Sequence, residues 1–199
     1  MKKILYTQRV DYMESYGERR DAADQRLPRF LAVCGLLPVA VPNVPNIAAA
    51  MFRELPAEGL FFSGGNDLDD YGGKTPEREQ TERMLLELAR ERRLPVFGIC
   101  HGMQLILDAL GAKLVKVENH VRTRHSLSGE LCRTGVNSFH NLAAVEVRPP
   151  LRVLARAEDG AVEAVQHESE SLAAVMWHPE REASFMPEDI EMVRKFFGA

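Results

Sequence analysis

The sequence predicts one three-layer α/β domain over residues 1–199, an open, mainly parallel sheet with helices on both faces. Three observations carry this expectation. Short apolar runs alternate with helical patterns through the first half, the order that a sheet covered on both sides imposes on its chain. A length of 199 residues, 45% hydrophobic and 7% aromatic, encloses one good core and seldom two. No internal repeat, low-complexity tract or linker divides the chain.

The first strand is read around Ile4 to Thr7. A helix beginning near Pro28 and stopping at Gly35 carries Phe30, Leu31, Val33 and Cys34, and LPVAVP supplies the next strand. A helix near Ile47 to Leu55 leads to the apolar run GLFF at 59–62, which ends abruptly at Ser63-Gly64-Gly65. Thr75-Pro76 opens a charged amphipathic helix with Met84, Leu85 and Leu88 on its buried stripe. Leu94 to Ile99 follows as a fully buried strand with Cys100 at its end, then the apolar helix MQLILDAL. Beyond Gly111 the texture turns to strands near 112–117, 143–147, 151–157, 161–166 and 172–177, before a last helix from Pro187.

Composition removes several function classes. A formal net charge of −4 with both signs mixed along the chain offers no basic field for nucleic acid or an anionic membrane surface. The start MKKILYTQRV has too short an apolar run for a signal-peptide core or a membrane span. Three distant cysteines, at 34, 100 and 132, form no CxxC pair and have no histidine spacing that suits zinc. A reduced, cytoplasmic protein is expected.

Gly98-Ile99-Cys100-His101-Gly102 has the G-x-nucleophile-x-G form between a buried strand and an apolar helix. A sharp strand-to-helix turn strains the nucleophile's backbone, and the glycines remove side chains that would collide with it. The helix N-terminus favours thiolate over thiol, and its free N–H groups can receive an oxyanion. Cys34, in a helical apolar stripe, reads instead as a small buried hydrophobe.

A nucleophile needs a base and a carbonyl-polarising group. Met176-Trp177-His178-Pro179-Glu180 sets an imidazole and a carboxylate two residues apart at a strand end, where the carboxylate can orient the imidazole. The other reading is a surface HPE turn. Ser63-Gly64-Gly65-Asn66-Asp67 ends a strand in two glycines whose N–H groups can approach an oxyanion, or is a plain turn.

GG after an early strand, GICHGMQ at the elbow and WHPE near the C-terminus, in that order over nearly the whole chain, resemble the class I glutamine amidotransferase family and its γ-glutamyl hydrolase branch. The resemblance implies a flavodoxin-like fold and a Cys-His-Glu triad, with Cys100 as nucleophile, His178 as general base and acid, and Glu180 as its orienting partner. It implies an oxyanion hole from Gly64 or Gly65 and the backbone of His101. Gln104 resembles the glutamyl-binding residue, its alternative being a polar residue of the first helical turn. Asn137-Ser138-Phe139-His140 resembles the NS-x-H segment lining the pocket for the glutamyl α-amino and α-carboxylate groups. A small γ-glutamyl substrate is implied, cleaved through a glutamyl thioester with no metal and no organic cofactor.

The sequence shows no synthetase or ammonia-acceptor domain, so a free-standing hydrolase is expected. A glutaminase subunit of a two-chain amidotransferase, a hydrolase of γ-glutamyl amines such as γ-glutamyl-GABA, and a non-catalytic relative are the alternatives. A homodimer or a partner synthase subunit stays open. TQR at 7–9, Ser15-Tyr16 with Glu18 and Arg20, SGGND at 63–67, ENH at 118–120, NSFHN at 137–141 and WHPER at 177–181 resemble the subgroup that hydrolyses γ-glutamyl-CDP-amidate to cytidine diphosphoramidate in capsule phosphoramidate biosynthesis. On that resemblance Asn66, Arg9, Arg20 and Arg124 join the substrate-binding candidates. Arg122 and His125 are expected to border the elbow with them, guanidinium forks being suited to phosphate oxygens. Solvated surface charge is the other reading. Glu118-Asn119-His120 either contacts substrate or fixes its loop.

Overall fold

In the computed structural model, which describes all residues from Met1 to Ala199, the parallel half of the sheet grows outward from β1 (Lys2–Tyr6). It pairs on one side with β4 (Leu36–Ala40) and on the other with β5 (Gly59–Phe62). β6 (Val96–Ile99) and β13 (Leu172–Val175) continue it in parallel register, with Phe61 opposite Phe97 and Gly98 opposite Ala174. Every residue of GLFF and VFGI is buried, so neither strand shows polar alternation, as expected of strands covered on both faces. The intervening helices are α1 (Arg26–Val33), α2 (Pro45–Glu54), α3 (Pro76–Glu91) and α4 (His101–Ala109).

Past β13 the sheet turns antiparallel through β12 (Val162–His167), β11 (Leu151–Arg156), β8 (Val121–Gly129) and β9 (Arg133–Phe139), giving nine strands. β7 (Leu114–Lys116) pairs with β10 (Leu142–Ala144) in a small second ribbon. The core joins Phe61, stacked on Phe97 at 5.7 Å, to Phe196 of α5 (Pro187–Phe197). A three-layer, flavodoxin-like α/β architecture results. Its functional rim lies at the carboxyl ends of the parallel strands, where such sheets bind ligands.

Two hairpins escaped the sequence reading. β2 (Arg9–Met13) pairs with β3 (Glu18–Ala22). These strands read RVDYM and ERRDA, and Val10 is their one buried residue. Without an apolar face the period-2 signal is missing. The β8–β9 hairpin is similarly polar and mostly exposed on β8. The strand expected at 143–147 is instead only Leu142–Ala144. In α3 the charged stripe is not all solvated, since Arg78 and Glu82 are wholly buried while Met84 and Leu88 are half-buried.

Candidate active site

β6 ends at Ile99 and α4 begins at His101, which leaves Cys100 as the single residue turning the chain. It does so at φ 49° and ψ −106°, a backbone conformation that costs a side-chain-bearing residue about 1–3 kcal/mol. The surroundings enforce it. The Cys100 N–H donates to the Val175 carbonyl at 2.9 Å, and the Cys100 carbonyl accepts from the Gln104 N–H at 2.9 Å. A Cβ on Gly102 would lie 2.4 Å from the Phe62 carbonyl oxygen, so the elbow closes against β5 only because residue 102 has none.

After β13, Trp177 donates its indole N–H to Asp189 at 3.2 Å, anchoring the segment that carries His178. Nδ1 of His178 meets Glu180 Oε1 at 2.6 Å. A carboxylate can only accept, so Nδ1 carries the proton and Nε2 is the working nitrogen. The backbone of His178 is clamped at both ends by the Asn137 amide, N–H to Oδ1 at 2.9 Å and Nδ2 to the carbonyl at 2.8 Å. Burial works against the imidazolium, but the Cys100 thiolate and the Glu180 carboxylate outweigh it and lift the His178 pKa to about 9. A Cβ on Gly64 would stand 2.5 Å from His178 Cε1 and 3.4 Å from Cys100 Cβ. Nucleophile candidate, base candidate and glycine strand end therefore meet at one point.

A buried ion network sets the orientation of that strand end. The Arg78 guanidinium donates to the carbonyls of Ser63, Gly64 and Gly65. In a trans peptide the N–H points opposite the C=O, so the N–H groups of Gly64 and Gly65 are directed away from Arg78. Neither donates to any backbone carbonyl. Arg78 is itself held by Glu82 at 3.1 Å, and Glu82 also binds Thr7 at 2.5 Å and His101 Nε2 at 2.7 Å. Burial alone would raise the Glu82 pKa, yet Arg78 and His101 bring it down to about 2.

Two cavities open at this point. One of about 190 Å³ is lined by Gly65, Asn66, Cys100, Gln104, Phe139, His140 and His178 among others. The second, of about 360 Å³, is lined by Arg9, Asp11, Asp24, Ser63, Gly64 and Glu180 among others. Arg181 lines both, with its guanidinium 4.8 Å over the Phe139 ring.

The structure thus gathers Cys100, His178, Glu180, Gly64, Gly65, Asn66, Gln104 and His140 around the elbow, with Arg9 beside them. The His101 side chain is buried against Glu82, and its N–H, in the first helical turn, has no intrahelical acceptor. Gln104 donates Nε2 to the Leu142 carbonyl at 3.0 Å, which fixes its amide at the cavity wall.

The other candidates are held elsewhere. Asn137 spends its amide on His178, and wholly buried Ser138 donates to the His120 carbonyl at 2.7 Å; both position the segment rather than line the cavity. Arg20 folds back on Glu18 and over the Tyr16 ring on the exposed hairpin. Arg124 forks onto Glu182 at 3.0 and 3.2 Å. Neither of them, nor Arg122, lines either cavity, and His125 turns to Glu163. Charge alone could not show which arginines reach the cavities. Arg78 and Arg181 were missed as site residues. Arg181 stands within the quoted WHPER, and Arg78 had as its only signal a helical i, i+4 pairing with Glu82, which more often marks a solvated face.

The fold is that of the class I glutamine amidotransferases. A Thermoplasma acidophilum structure described as a GMP synthase subunit superposes with a TM-score of 0.72 at 22% identity, covering 100% of this chain and 93% of that one. PurLQS from Thermotoga maritima gives 0.71 at 18%, covering 98% and 97%. The peptidase C26 family model matches residues 6–180, and the chain belongs to the peptidase C26 family. Among curated relatives, the γ-glutamyl-CDP-amidate hydrolase of Campylobacter jejuni is 31% identical over 71% of this chain and 70% of its own. The γ-glutamyl-γ-aminobutyrate hydrolase PuuD of Escherichia coli K12 is 29% identical over 75% of each. The glutamine-hydrolysing GMP synthase subunit of Thermococcus kodakarensis is 29% identical over 78% of this chain and 82% of its own. No helix is long and apolar enough to cross a membrane.

Proposed function

We propose that the chain hydrolyses γ-glutamyl amides, with Cys100 as nucleophile, His178 as general base and acid and Glu180 as its orienting carboxylate. The observation that carries this is the convergence of a strained elbow cysteine and a carboxylate-bound imidazole over Gly64. The Cys100 thiolate adds to the γ-carbonyl, and the N–H groups of Gly64, Gly65 and His101 receive the oxyanion. On collapse the C–N bond breaks, and His178 gives its proton to the departing nitrogen. A glutamyl thioester remains. Water, deprotonated by His178, attacks it, and glutamate leaves as the thiolate returns. The smaller cavity, with Asn66, Gln104 and His140 in its wall, takes the glutamyl group.

The leaving group we assign is a cytidine diphosphoramidate, the substrate being γ-glutamyl-CDP-amidate. Similarity to the Campylobacter hydrolase supports it. So does the adjoining cavity, where Arg9 and Arg181 can fork onto phosphate oxygens and the carboxylates of Asp11 and Asp24 can accept from ribose hydroxyls. Arg9 already pairs with Asp11 at 3.0 Å, so the cavity is mixed in charge rather than basic, as a nucleotide with both anionic and hydroxyl groups requires.

A steady-state screen of glutamate release tests both levels. γ-Glutamyl-CDP-amidate should exceed γ-glutamyl-GABA and glutamine in kcat/KM by about 100-fold or more, the remote contacts being used to position the amide. Arg9→Ala should cost roughly 10-fold or more on the nucleotide substrate and little on glutamine, whereas Arg181→Ala, at the wall of both cavities, should weaken turnover of both substrates. Arg20→Ala and Arg124→Ala should leave both unchanged. Equal turnover of a phosphate-free γ-glutamyl amine would remove the nucleotide assignment, and a clear preference for glutamine would favour the glutaminase-subunit reading.

Gly64→Ala offers a geometric check. A methyl group 2.5 Å from the His178 ring must displace it, and kcat should fall about 100-fold or more, a misplacement of the order of an ångström being enough. Unchanged kcat would show that His178 does not work from its observed position.

A further inference from the structure

Away from the elbow thiol, His120 in the loop before β8, His125 on β8 and Glu163 on β12 each bring one donor atom to within 4.8 Å of the others. Glu163 is wholly buried. Its Oε1 lies 3.4 Å from His120 Nδ1, 3.3 Å from His125 Nε2 and 3.2 Å from His140 Nε2. Yet Glu163 Oε2 and His125 Nε2 have no hydrogen-bond partner, a costly arrangement for buried polar atoms.

The outward nitrogens explain why something is needed between these groups. His120 Nε2 meets the Asp159 carboxylate at 3.0 Å, and His140 Nδ1 meets the Leu142 carbonyl at 3.2 Å. Both partners are pure acceptors, so both outward nitrogens carry hydrogen. In the neutral rings that turns two lone pairs, His120 Nδ1 and His140 Nε2, towards each other at 3.2 Å beside a buried carboxylate. A positive charge, a proton or a cation, belongs among them. Ligand nitrogens and oxygens about 2.0–2.1 Å from a tetrahedral zinc ion stand about 3.3 Å apart, the spacing found around Glu163 Oε1. Imidazole held through its second nitrogen by a carboxylate is the usual support of a metal ligand.

We propose that His120 Nδ1, His125 Nε2 and Glu163 Oε1 hold a divalent transition-metal ion of the zinc class, with Asp159 orienting His120 and a fourth position left on the His140 side. The ion takes no part in the hydrolysis. It ties the β8–β9 hairpin to β12, where the sheet otherwise joins β8 to β11 through only Ala155 opposite Gly129 and Arg156 opposite Ser128. The same hairpin carries Asn137, which clamps the backbone of His178.

The test uses the full chain carrying Cys100→Ala, stripped of metal by a chelator, so that the elbow thiolate cannot bind the probe. Zinc chloride titrated calorimetrically should bind one ion per chain. At a free concentration 100-fold above its Kd, it should raise Tm by about 5–10 °C. Cobalt(II) should give a tetrahedral d–d spectrum without a thiolate charge-transfer band. His125→Gln and Glu163→Gln should each abolish the binding and the Tm rise, while His167→Gln keeps both. Should Glu163→Gln fail to fold, His125→Gln and the cobalt spectrum decide. Absence of stoichiometric zinc uptake, undiminished uptake by His125→Gln, or a thiolate band assigning the ion to Cys132 would each overturn the proposal.

Discussion

Cys100→Ala is expected to lower γ-glutamyl hydrolysis by about 10⁴-fold or more, the scale on which loss of a covalent nucleophile is felt, while the protein remains folded. Cys100→Gly should remove activity equally and be more stable than Cys100→Ala. A glycine meets no steric penalty at φ 49°, and the strain released, about 1–3 kcal/mol, exceeds the roughly 0.5–1 kcal/mol of added chain entropy lost on folding. Burial pushes the Cys34 thiol up to about 12, so Cys34→Ala should leave turnover intact. Cys132 is exposed and lines neither cavity, so its alkylation should be silent. Mass spectrometry of iodoacetamide-treated protein, read against residual glutamate release, separates the three thiols. Inactivation that followed Cys132, or wild-type turnover by Cys100→Ala, would end the mechanism.

How much of this could be read in advance depends on how local the determinants are. The elbow is a local event: GICHG, a buried strand before it and an apolar helix after it are contiguous, so the sequence shows where the thiol is presented. WHPE is local too, since the single intervening residue, Pro179, sets the 2.6 Å contact between His178 and Glu180. What lay hidden is long-range and polar. Arg78 reaches Ser63, Gly64 and Gly65 from another element, and nothing in PEREQTER distinguishes it from its exposed neighbours. Arg124 and Arg181 are alike as letters. One is neutralised by Glu182, which Asn137 also holds, and the other faces both cavities. The polar hairpins form because turn and backbone pairing suffice for them beside a finished core, and such pairing leaves no hydrophobic period to detect.

His178 carries the second large effect, and pH reveals it. His178→Asn should cost about 10⁵-fold or more in the chemical step, and Glu180→Gln about 10- to 100-fold less, because the carboxylate orients and stabilises the imidazolium without transferring the proton. Burial opposes the charged ring, while the Cys100 thiolate and Glu180 raise its pKa from 6.5 to about 9. A folded-state pKa above the unfolded one means that the His178 contribution to stability is complete below about pH 6.5 and is lost as pH rises through about 9. The wild-type protein should therefore lose unfolding free energy over that window relative to His178→Asn. The kcat/KM profile should bend down near pH 9, where the proton for the departing nitrogen disappears. Cys100→Ala removes the facing negative charge, so imidazole resonances followed by NMR should then show His178 titrating at lower pH than in the wild type. A His178 resonance that titrates near 6.5 and ignores Cys100→Ala would show that no thiolate–imidazolium pair exists, and would return the HPE segment to a structural turn.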